Sequence, residues 1–300
     1  MDRGRRPSIG AMSDSPGLQP RLQLRVTVLG YGTAVPHEAT PAAGYLVRWG
    51  DTNLLLDVGQ GVVRNLQGAL GAHALTGIVI SHMHADHYLD LVGLRYLYPW
   101  GEPAHDPLPV YLPPGGRARL DALAVAISER AGFFYDAFVA REYDPDAGLT
   151  VGDLRVRFVK GRHYVPAWGV VIDAPDGSRL AYTGDTGPSS SVEEAVRGAD
   201  LLLVESSIVS AGDDGRERGH LTTDEAIALA RNAQARSALL VHYAPDRLAE
   251  IEALCAAAGS WVRPATDGLT VTVAPLAEIL DGVEQPPSPE PVNAYLGAKG

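Results

Sequence analysis

The sequence predicts an α+β fold, an αββα sandwich in which two β-sheets pack face to face and helices cover their outer surfaces. Short apolar runs typical of strands alternate with segments of helical period, and the chain has two β-rich halves, each followed by helices. Hairpin patterns join several of the strands. An open doubly wound sheet is the alternative, but hairpins count against it because parallel strands need helical crossovers.

The first half of the chain begins with three strands separated by turn residues, followed by a helix and a short buried strand. The later apolar periods predict two more helices around a further short strand, and Pro99 ends the first of these helices. The strands are predicted at Leu22–Leu29, Tyr45–Trp49, Asn53–Asp57, Gly77–Ser81 and Val110–Leu112. The helices are predicted at Gly61–Leu70, Tyr88–Leu97 and Arg117–Ala131.

The second half opens with two hairpins and then alternates helices with short apolar strands. The turn dipeptides Gly152-Asp153 and Asp176-Gly177 mark the two hairpins. The strands are predicted within Leu149–Val159 and at Gly169–Asp173, Leu180–Thr183, Leu201–Val204, Ala238–Val241 and Leu269–Val273. The helices are predicted at Val192–Arg197, Thr223–Asn232 and Asp246–Ala257.

Composition narrows the possible classes of protein. With 300 residues, 46% of them apolar, the chain can bury a sizeable core, which excludes global disorder. Its apolar runs are too short to span a bilayer, and a single cysteine, Cys255, excludes a disulfide framework, so a cytoplasmic protein is expected. The net charge of −11 disfavours extensive nucleic-acid binding. Residues 1–20 and 284–300 are predicted to be disordered tails around one domain at 21–283.

Three of the nine histidines lie in one short motif, His82-Met83-His84-Ala85-Asp86-His87. At this composition the spacing arises by chance in about one sequence in a thousand, so it is a specific signal. The motif follows a buried strand, so its side chains leave the sheet at the strand end. Imidazole and carboxylate together suit zinc or a similar divalent ion. A solvated polar loop is the less favoured interpretation.

The motif resembles the metal-binding signature of the metallo-β-lactamase-fold superfamily, and the resemblance extends over about Val26 to Val273. Further elements follow in the family's order. Asp57 ends an early strand, a lone histidine comes in Gly161-Arg162-His163, an aspartate in Tyr182-Thr183-Gly184-Asp185-Thr186-Gly187, and a final histidine in Leu240-Val241-His242. The resemblance implies the metallo-β-lactamase fold.

The resemblance also implies two divalent metal ions. His82, His84 and His163 would hold one ion, Asp86, His87 and His242 would hold the other, and Asp185 would bridge them. Asp57 would orient a ligand imidazole or the motif loop. Zinc is the expected metal, although manganese and iron accept the same ligands. Two such ions can share and activate a hydroxide for attack on a phosphoryl group. Asp86 would be a catalytic residue as well as a metal ligand.

Glu205 and His220 resemble the pair that distinguishes the ribonuclease Z-like branch of the superfamily. Glu205 follows the strand Leu201–Val204, and His220 stands in Gly219-His220-Leu221-Thr222-Thr223 before a helix. In that branch the pair is thought to protonate the leaving oxygen, which fits a histidine held by a carboxylate. The structural alternatives are a neighbour of a helix N-cap for His220 and a buried ion pair with arginine for Glu205.

The sequence departs from true ribonuclease Z in two places. The early loop, residues 36–44, has no arginine, and residues 88–162 hold nine basic and ten acidic residues, which is no clamp for RNA. The loop Thr40-Pro41-Ala42-Ala43-Gly44-Tyr45-Leu46 and the Gly-Asp-Thr-Gly element instead resemble small actinobacterial-type relatives, some of which hydrolyse cyclic nucleotides. The expected function is therefore hydrolysis of a small phosphodiester such as a 3′,5′-cyclic nucleotide, with His220 as general acid.

Several alternatives stay open. Transfer RNA 3′-processing on the same fold is the second candidate activity, and a non-hydrolytic metal-holding protein is the third. Gly32 could present a backbone N–H to phosphate or simply make a tight turn. Tyr88 and Tyr164 flank metal ligands and could stack on a base or belong to the core. The resemblance also implies a homodimer.

Overall fold

Two seven-stranded sheets form the centre of the computed structural model, which describes residues 22–98, 106–130, 132–209 and 218–275. The first sheet has the order β14-β1-β2-β3-β4-β5-β6, and the second has the order β13-β12-β11-β10-β9-β8-β7, from the following strands. These are β1 Leu24–Gly30, β2 Gly44–Trp49, β3 Thr52–Leu56, β4 Gly77–Val79, β5 Leu108–Leu112, β6 Phe138–Glu142, β7 Leu149–Val151, β8 Leu154–Lys160, β9 Trp168–Asp173, β10 Arg179–Tyr182, β11 Leu201–Glu205, β12 Ala238–Val241, β13 Val262–Pro264 and β14 Thr270–Val273.

Helices lie against both sheets. The helices are α1 Val62–Ala69, α2 Ala85–Tyr88, α3 Leu91–Arg95, α4 Gly116–Ser128, α5 Ser190–Ala195, α6 Thr223–Asn232 and α7 Leu248–Ala258. Helices α1 and α4 contact the first sheet, whereas α5, α6 and α7 contact the second. The αββα sandwich is therefore confirmed, and the alternative of one open doubly wound sheet is wrong.

Strand β2 shows why the central strands are apolar on both faces. Tyr45 and Val47 belong to the core between the sheets, whereas Leu46 belongs to the core on the outer side of the first sheet. Successive side chains of a strand point to opposite faces, so a strand between a second sheet and a helical layer must be apolar at nearly every position. Sequence periodicity alone therefore shows little alternation here.

The strand directions place several strand ends at one edge of each sheet. Strands β3 and β4 are parallel in the first sheet, and β10, β11 and β12 are parallel in the second. Parallel neighbours have their carboxyl ends at the same edge, so the loops that follow them lie side by side. The motif histidines, Asp57, Asp185, Glu205 and His242 all stand at or just after such ends.

The structure corrects the element predictions in two places. In place of the helix predicted at Tyr88–Leu97 there are two short helices, α2 and α3, because the backbone N–H of Asp90 donates to the carbonyl of Val58 at 3.0 Å and not to the carbonyl one turn earlier. Strands β6 and β13 were not predicted, since their short sequences carry little β-strand pattern. In addition, β14 pairs with β1, so the chain returns to the first sheet at its end.

Three predictions concern residues that the structure does not describe. The tails at residues 1–20 and 284–300, the domain boundaries at 21 and 283, and the helix stop at Pro99 lie outside the described residues. Among the residues that the structure describes, no helix combines the length and the apolar character needed to cross a bilayer.

Candidate active site

The strand ends bring together all seven residues that the sequence predicted as metal ligands. They come from both halves of the chain and are His82, His84, Asp86, His87, His163, Asp185 and His242. Among them, one ligand atom per residue lies within 4.8 Å of the others in three groups, and each group is able to hold a metal ion. The groups are His82, His84 and His163, then His82, His87 and Asp185, and then Asp86, His87 and His242.

The first group has its imidazole nitrogens close together. Nδ1 of His84 lies 3.2 Å from Nε2 of His82 and 2.9 Å from Nε2 of His163. The other ring nitrogen of His163, Nδ1, donates to the backbone carbonyl of Gly219 at 2.7 Å. That hydrogen bond leaves the lone pair of His163 on Nε2, the atom that faces the group.

The third group, Asp86, His87 and His242, joins both halves of the chain. Nε2 of His242 lies 3.1 Å from Oδ2 of Asp86, and Nε2 of His87 lies 3.5 Å from the same oxygen. His242 has a left-handed backbone, with φ of 53°, which a non-glycine residue adopts only when its surroundings impose it. The turn after β12 is thus shaped to aim this imidazole at the motif.

Asp185 belongs to the remaining group, with His82 and His87, and lies between the other two groups. Its Oδ2 is 3.8 Å from Nε2 of His82, 3.4 Å from Nε2 of His87 and 3.6 Å from Nε2 of His242. The turn before it needs glycine, because Gly184 has φ of 58° and a Cβ atom there would lie 2.7 Å from the carbonyl oxygen of Trp168.

Two orphaned atoms test whether the residues fit a metal. Nε2 of His87 and Oδ1 of Asp185 are buried and have no hydrogen-bond partner. Buried polar atoms without a partner are costly, and ligation removes that cost. Ligand atoms around one tetrahedral ion, at bond lengths of about 2.0–2.2 Å, lie roughly 3.3–3.6 Å apart. The distances from Oδ2 of Asp185 to His87 and His242, 3.4 and 3.6 Å, fall in this range. The donor set therefore fits divalent metal ions.

Asp57 holds the motif in place through hydrogen bonds to its carboxylate. Its buried carboxylate accepts hydrogen bonds from Nδ1 of His87 at 2.8 Å, from the backbone N–H of Ser81 at 2.7 Å and from the hydroxyl of Tyr182 at 3.0 Å. The predicted choice was between orienting a ligand imidazole and orienting the motif loop, and the structure shows contacts to both. Asp57 also has a left-handed backbone, with φ of 55°.

His220 and Glu205 lie beside the ligand groups and contact each other. Nδ1 of His220 lies 3.0 Å from Oε1 of Glu205, and it lies 3.9 Å from Oδ2 of Asp185. Glu205 is fully buried, and its Oε1 also accepts the backbone N–H of Thr186 at 2.8 Å. The contacts that the structure describes for Glu205 are thus with His220, Thr186 and Ser207. Thr222 caps helix α6, so His220 also lies close to a helix N-cap, as its structural alternative stated.

The protonation preferences of the site follow from burial and from charge. Burial raises the pKa of both Asp86 and Asp185, but neighbouring imidazoles outweigh it, chiefly His242, and hold both pKa values below their ordinary range. Burial lowers the pKa of His82, His84 and His163. For Asp86, Asp185 and these three histidines, the directions favour anionic carboxylates and neutral imidazoles, which are the forms that bind metals. Burial would also lower the pKa of His87, but the charges of Asp185 and Asp57 raise that pKa above its ordinary value.

An open cavity of about 500 Å³ gives access to this site. Asp86, Asp185 and two further ligand residues line it, together with His220. Ala34, Val35, Ala85 and Ile208 contribute apolar surface. A cavity of this size and mixture is typical of small-molecule sites.

The three weaker substrate-binding predictions have different outcomes. The backbone N–H of Gly32 donates to the carbonyl of Pro41 at 2.9 Å, which is the tight turn given as the alternative to a phosphate contact. Tyr88 packs against the core on the outer side of the first sheet, which is the alternative interpretation. Tyr164 is 62% exposed, and its ring centroid lies 5.1 Å from that of His163 and 5.7 Å from that of His220.

The sequence reasoning did not identify several polar groups that position the site. They are Ser81, Tyr182, Thr186, Ser207 and the carbonyl of Gly219. Ser81 precedes the motif and Ser207 follows Glu205 closely, so adjacency to a site residue was an available signal. Tyr182 carried no such signal because its partner, Asp57, is 125 residues away.

Comparison with known proteins agrees with this geometry. The family model described as beta-lactamase superfamily domain matches residues 52–243. The uncharacterized protein ML1173 of Mycobacterium leprae is 35% identical over 231 residues, which cover 74% of this chain and 78% of the relative. A ribonuclease Z of Mycobacterium bovis is 28% identical over 250 residues, with coverage of 74% and 86%.

One relative is similar in both sequence and structure. The probable metallo-hydrolase YhfI of Bacillus subtilis is 31% identical over 223 residues, covering 73% of this chain and 86% of the relative. Its crystal structure aligns with a TM-score of 0.73 at 26% identity and covers 83% of this chain and 99% of that chain. The chain therefore belongs to the metallo-β-lactamase-fold superfamily and is a metal-dependent hydrolase of that fold, with relatives of the ribonuclease Z type.

Proposed function

We propose that this hydrolase is a phosphodiesterase that cleaves a small phosphodiester such as a 3′,5′-cyclic nucleotide. One observation carries the proposal: His220, which buried Glu205 holds by a hydrogen bond, lines the same cavity as the ligand residues His84, Asp86, Asp185 and His242. Hydrolysis of a phosphodiester needs an activated water, charge neutralisation at the phosphoryl oxygens and a proton for the leaving alkoxide. This cavity offers residues for each of these tasks.

The ligand residues would hold two divalent ions, with zinc as the expected metal. His82, His84 and His163 would bind one, Asp86, His87 and His242 would bind the other, and Asp185 would contact both. When bound, such ions supply an acidified water and neutralise phosphoryl charge. Asp57 would keep Nε2 of His87 aimed at its ion by accepting the proton on Nδ1.

His220 is placed to protonate the leaving oxygen. Burial alone would lower its pKa, but the hydrogen bond and the charge of Glu205 raise the pKa above the ordinary value. Glu205 engages Nδ1, so Nε2 is the ring nitrogen that remains to donate a proton. A poor leaving group such as a ribose oxygen depends on this donation.

The surroundings of the cavity favour a small substrate with a flat apolar part over a large RNA. Val35 and Ile208 offer apolar contacts, and the exposed ring of Tyr164 lies next to His220, where a nucleobase could stack. Residues 88–162 contain no excess of basic over acidic residues, so this segment lacks the positive charge that binds a polyanion.

A panel of substrates tests the proposal. Protein with quantified metal content should hydrolyse a 3′,5′-cyclic nucleotide, with weak dependence of KM on salt. A precursor tRNA with a 3′ trailer should be cleaved far more slowly. Efficient tRNA cleavage with a steep loss of affinity as salt rises would instead assign the ribonuclease Z activity. If the protein binds its full complement of metal but hydrolyses neither of these substrates nor a thioester, the proposed phosphodiesterase activity is wrong.

Replacing Tyr164 with alanine tests the stacking contact. We expect KM for a cyclic nucleotide to rise by roughly 5- to 50-fold, because base–aromatic stacking contributes on the order of 1–3 kcal/mol, while kcat stays nearly unchanged. Steady-state kinetics separate the two parameters. Tyr96, which is also exposed but sits in the turn after α3, is the matched control, and Tyr96→Ala should leave KM unchanged. An unchanged KM in Tyr164→Ala would remove base stacking from the proposal.

The proposal also includes the metal, the cellular compartment and the oligomeric state of the protein. The site would use zinc in the cell, the protein would act in the cytoplasm, and it would form a homodimer. Metal analysis of protein purified without added metal, cell fractionation and the mass of the protein in solution test them separately.

A further inference from the structure

A serine hydroxyl links a buried carboxylate to a ligand imidazole twice in this site. Oγ of Ser81 lies 2.8 Å from Oδ2 of Asp57 and 3.1 Å from Nδ1 of His82. Oγ of Ser207 lies 2.8 Å from Oε2 of Glu205 and 2.6 Å from Nδ1 of His242. The two arrangements belong to different sheets, one after β4 and the other after β11.

The single hydroxyl proton of Ser207 fixes the direction of these hydrogen bonds. The carboxylate of Glu205 can only accept, and it already accepts the backbone N–H of Ser207 at 3.2 Å, so Oγ donates to it. Oγ must then accept from Nδ1 of His242. The carbonyl of His242, 3.0 Å from Oγ, is the competing acceptor, but a bond to it would leave the short contact to Glu205 without a proton.

This proton order determines which nitrogen of His242 can bind a metal. With the proton on Nδ1, the lone pair lies on Nε2, the atom that is 3.1 Å from Asp86 and 3.6 Å from Asp185. Glu205 therefore uses one oxygen, Oε1, for His220 and its other oxygen, Oε2, for Ser207. One buried carboxylate orients the proton donor directly and a metal ligand through a serine.

We propose that Ser207 is a positioning residue that couples the two functional parts of the site. Its hydroxyl holds His242 in the Nδ1-protonated tautomer and fixes Glu205 so that Oε1 faces His220. Partners that hydrogen-bond the distal nitrogen of a ligand histidine commonly change metal affinity or activity by about 10- to 100-fold when removed. The inference rests on the metal site of the proposed function and is independent of the substrate.

The parallel around Asp57 supports this role. There too one carboxylate contacts one imidazole directly, His87, and reaches a second, His82, through a serine that also donates its backbone N–H to the carboxylate. Four of the five proposed ligand histidines thereby have Nδ1 hydrogen-bonded to a partner outside the ligand groups and Nε2 directed into them. These are His82, His87, His163 and His242.

The test compares three variants for metal binding and for turnover. Ser207→Ala should weaken binding of Zn²⁺ at one of the two sites by about 10- to 100-fold in chelator competition, and it should lower kcat more than it raises KM. Ser207→Thr keeps the hydroxyl and should restore both within a few-fold. Ser206→Ala is the matched control, because the Ser206 hydroxyl contacts Thr223 and not the site. Wild-type zinc affinity in Ser207→Ala would overturn the inference.

A second measurement needs no variant. Nitrogen-15 NMR of the zinc-loaded wild-type protein reports the tautomer of His242, and the proton should be on Nδ1, which leaves Nε2 for the metal. A proton on Nε2 would overturn the inference. Failure of the proposed substrate to react would leave both the zinc titration and the tautomer unaffected, so the two proposals can fail separately.

Discussion

Replacing Asp185 with asparagine is expected to lower hydrolysis of bis-p-nitrophenyl phosphate by at least about a thousandfold, equivalent to roughly 4 kcal/mol of transition-state stabilisation. Oδ2 of Asp185 lies within 3.9 Å of a nitrogen of five histidines, so its charge faces both ligand groups. Asparagine keeps the shape but removes that charge, and it offers only one ligand oxygen. Metal content per chain should fall along with activity.

Asp173→Asn is the matched control. Asp173 pairs with Arg157 and Arg179 at the surface of the second sheet, so the same chemical change there should leave metal content and turnover near their wild-type values. Thermal unfolding of both variants shows whether they fold. A folded Asp185→Asn protein with full metal content and unchanged turnover would contradict the assignment of this cluster as the active site.

Replacing His220 with alanine is expected to affect substrates unequally. Turnover of a cyclic nucleotide should fall by about 10²- to 10⁴-fold, because its ribose oxygen leaves as an alkoxide and needs a proton. Turnover of bis-p-nitrophenyl phosphate should fall much less, since p-nitrophenolate is a stable leaving group. The measured quantity is the ratio of the two kcat values in the variant and in the wild-type protein.

The same experiment separates catalysis from metal binding. Zinc content of His220→Ala should remain at the wild-type level, because the proposed ligands do not include His220. His73→Ala, at the exposed turn Ala72–Ala74, is the control for histidine removal away from the cavity. Equal losses on both substrates, or loss of zinc, would show that His220 acts as a ligand or a structural residue and not as a proton donor.

Much of the site was predictable because its ligands are marked by local sequence. The spacing of His82, His84, Asp86 and His87 is rare, and it follows an apolar strand, so both the residue types and their exit from the sheet are local properties. The order of His163, Asp185 and His242 behind the motif then allowed the distant ligands to be placed by resemblance. The structure brings them together as that order implied.

Predictions that depended on a distant partner were less successful. A helix period across Tyr88–Leu97 was visible, but the break at Asp90 depends on the carbonyl of Val58, which is distant in the sequence. The sequence around Gly32 suited either a phosphate contact or a tight turn, and the hydrogen bond from its backbone N–H to the carbonyl of Pro41 is visible only in the structure. For Tyr88, the same sequence suits a core or a cavity, and only packing against the first sheet decides between them.

The sequence by itself determined the fold class, the residue types of the metal site and the order in which the chain presents them, because these are encoded in local spacing and periodicity. The tertiary structure alone decided which carboxylate contacts which imidazole. Ser207 and His242 are 35 residues apart, and Tyr182 and Asp57 are 125 residues apart. A hydrogen bond requires partners within about 3 Å, and only the packing of the two sheets brings such distant residues to that distance.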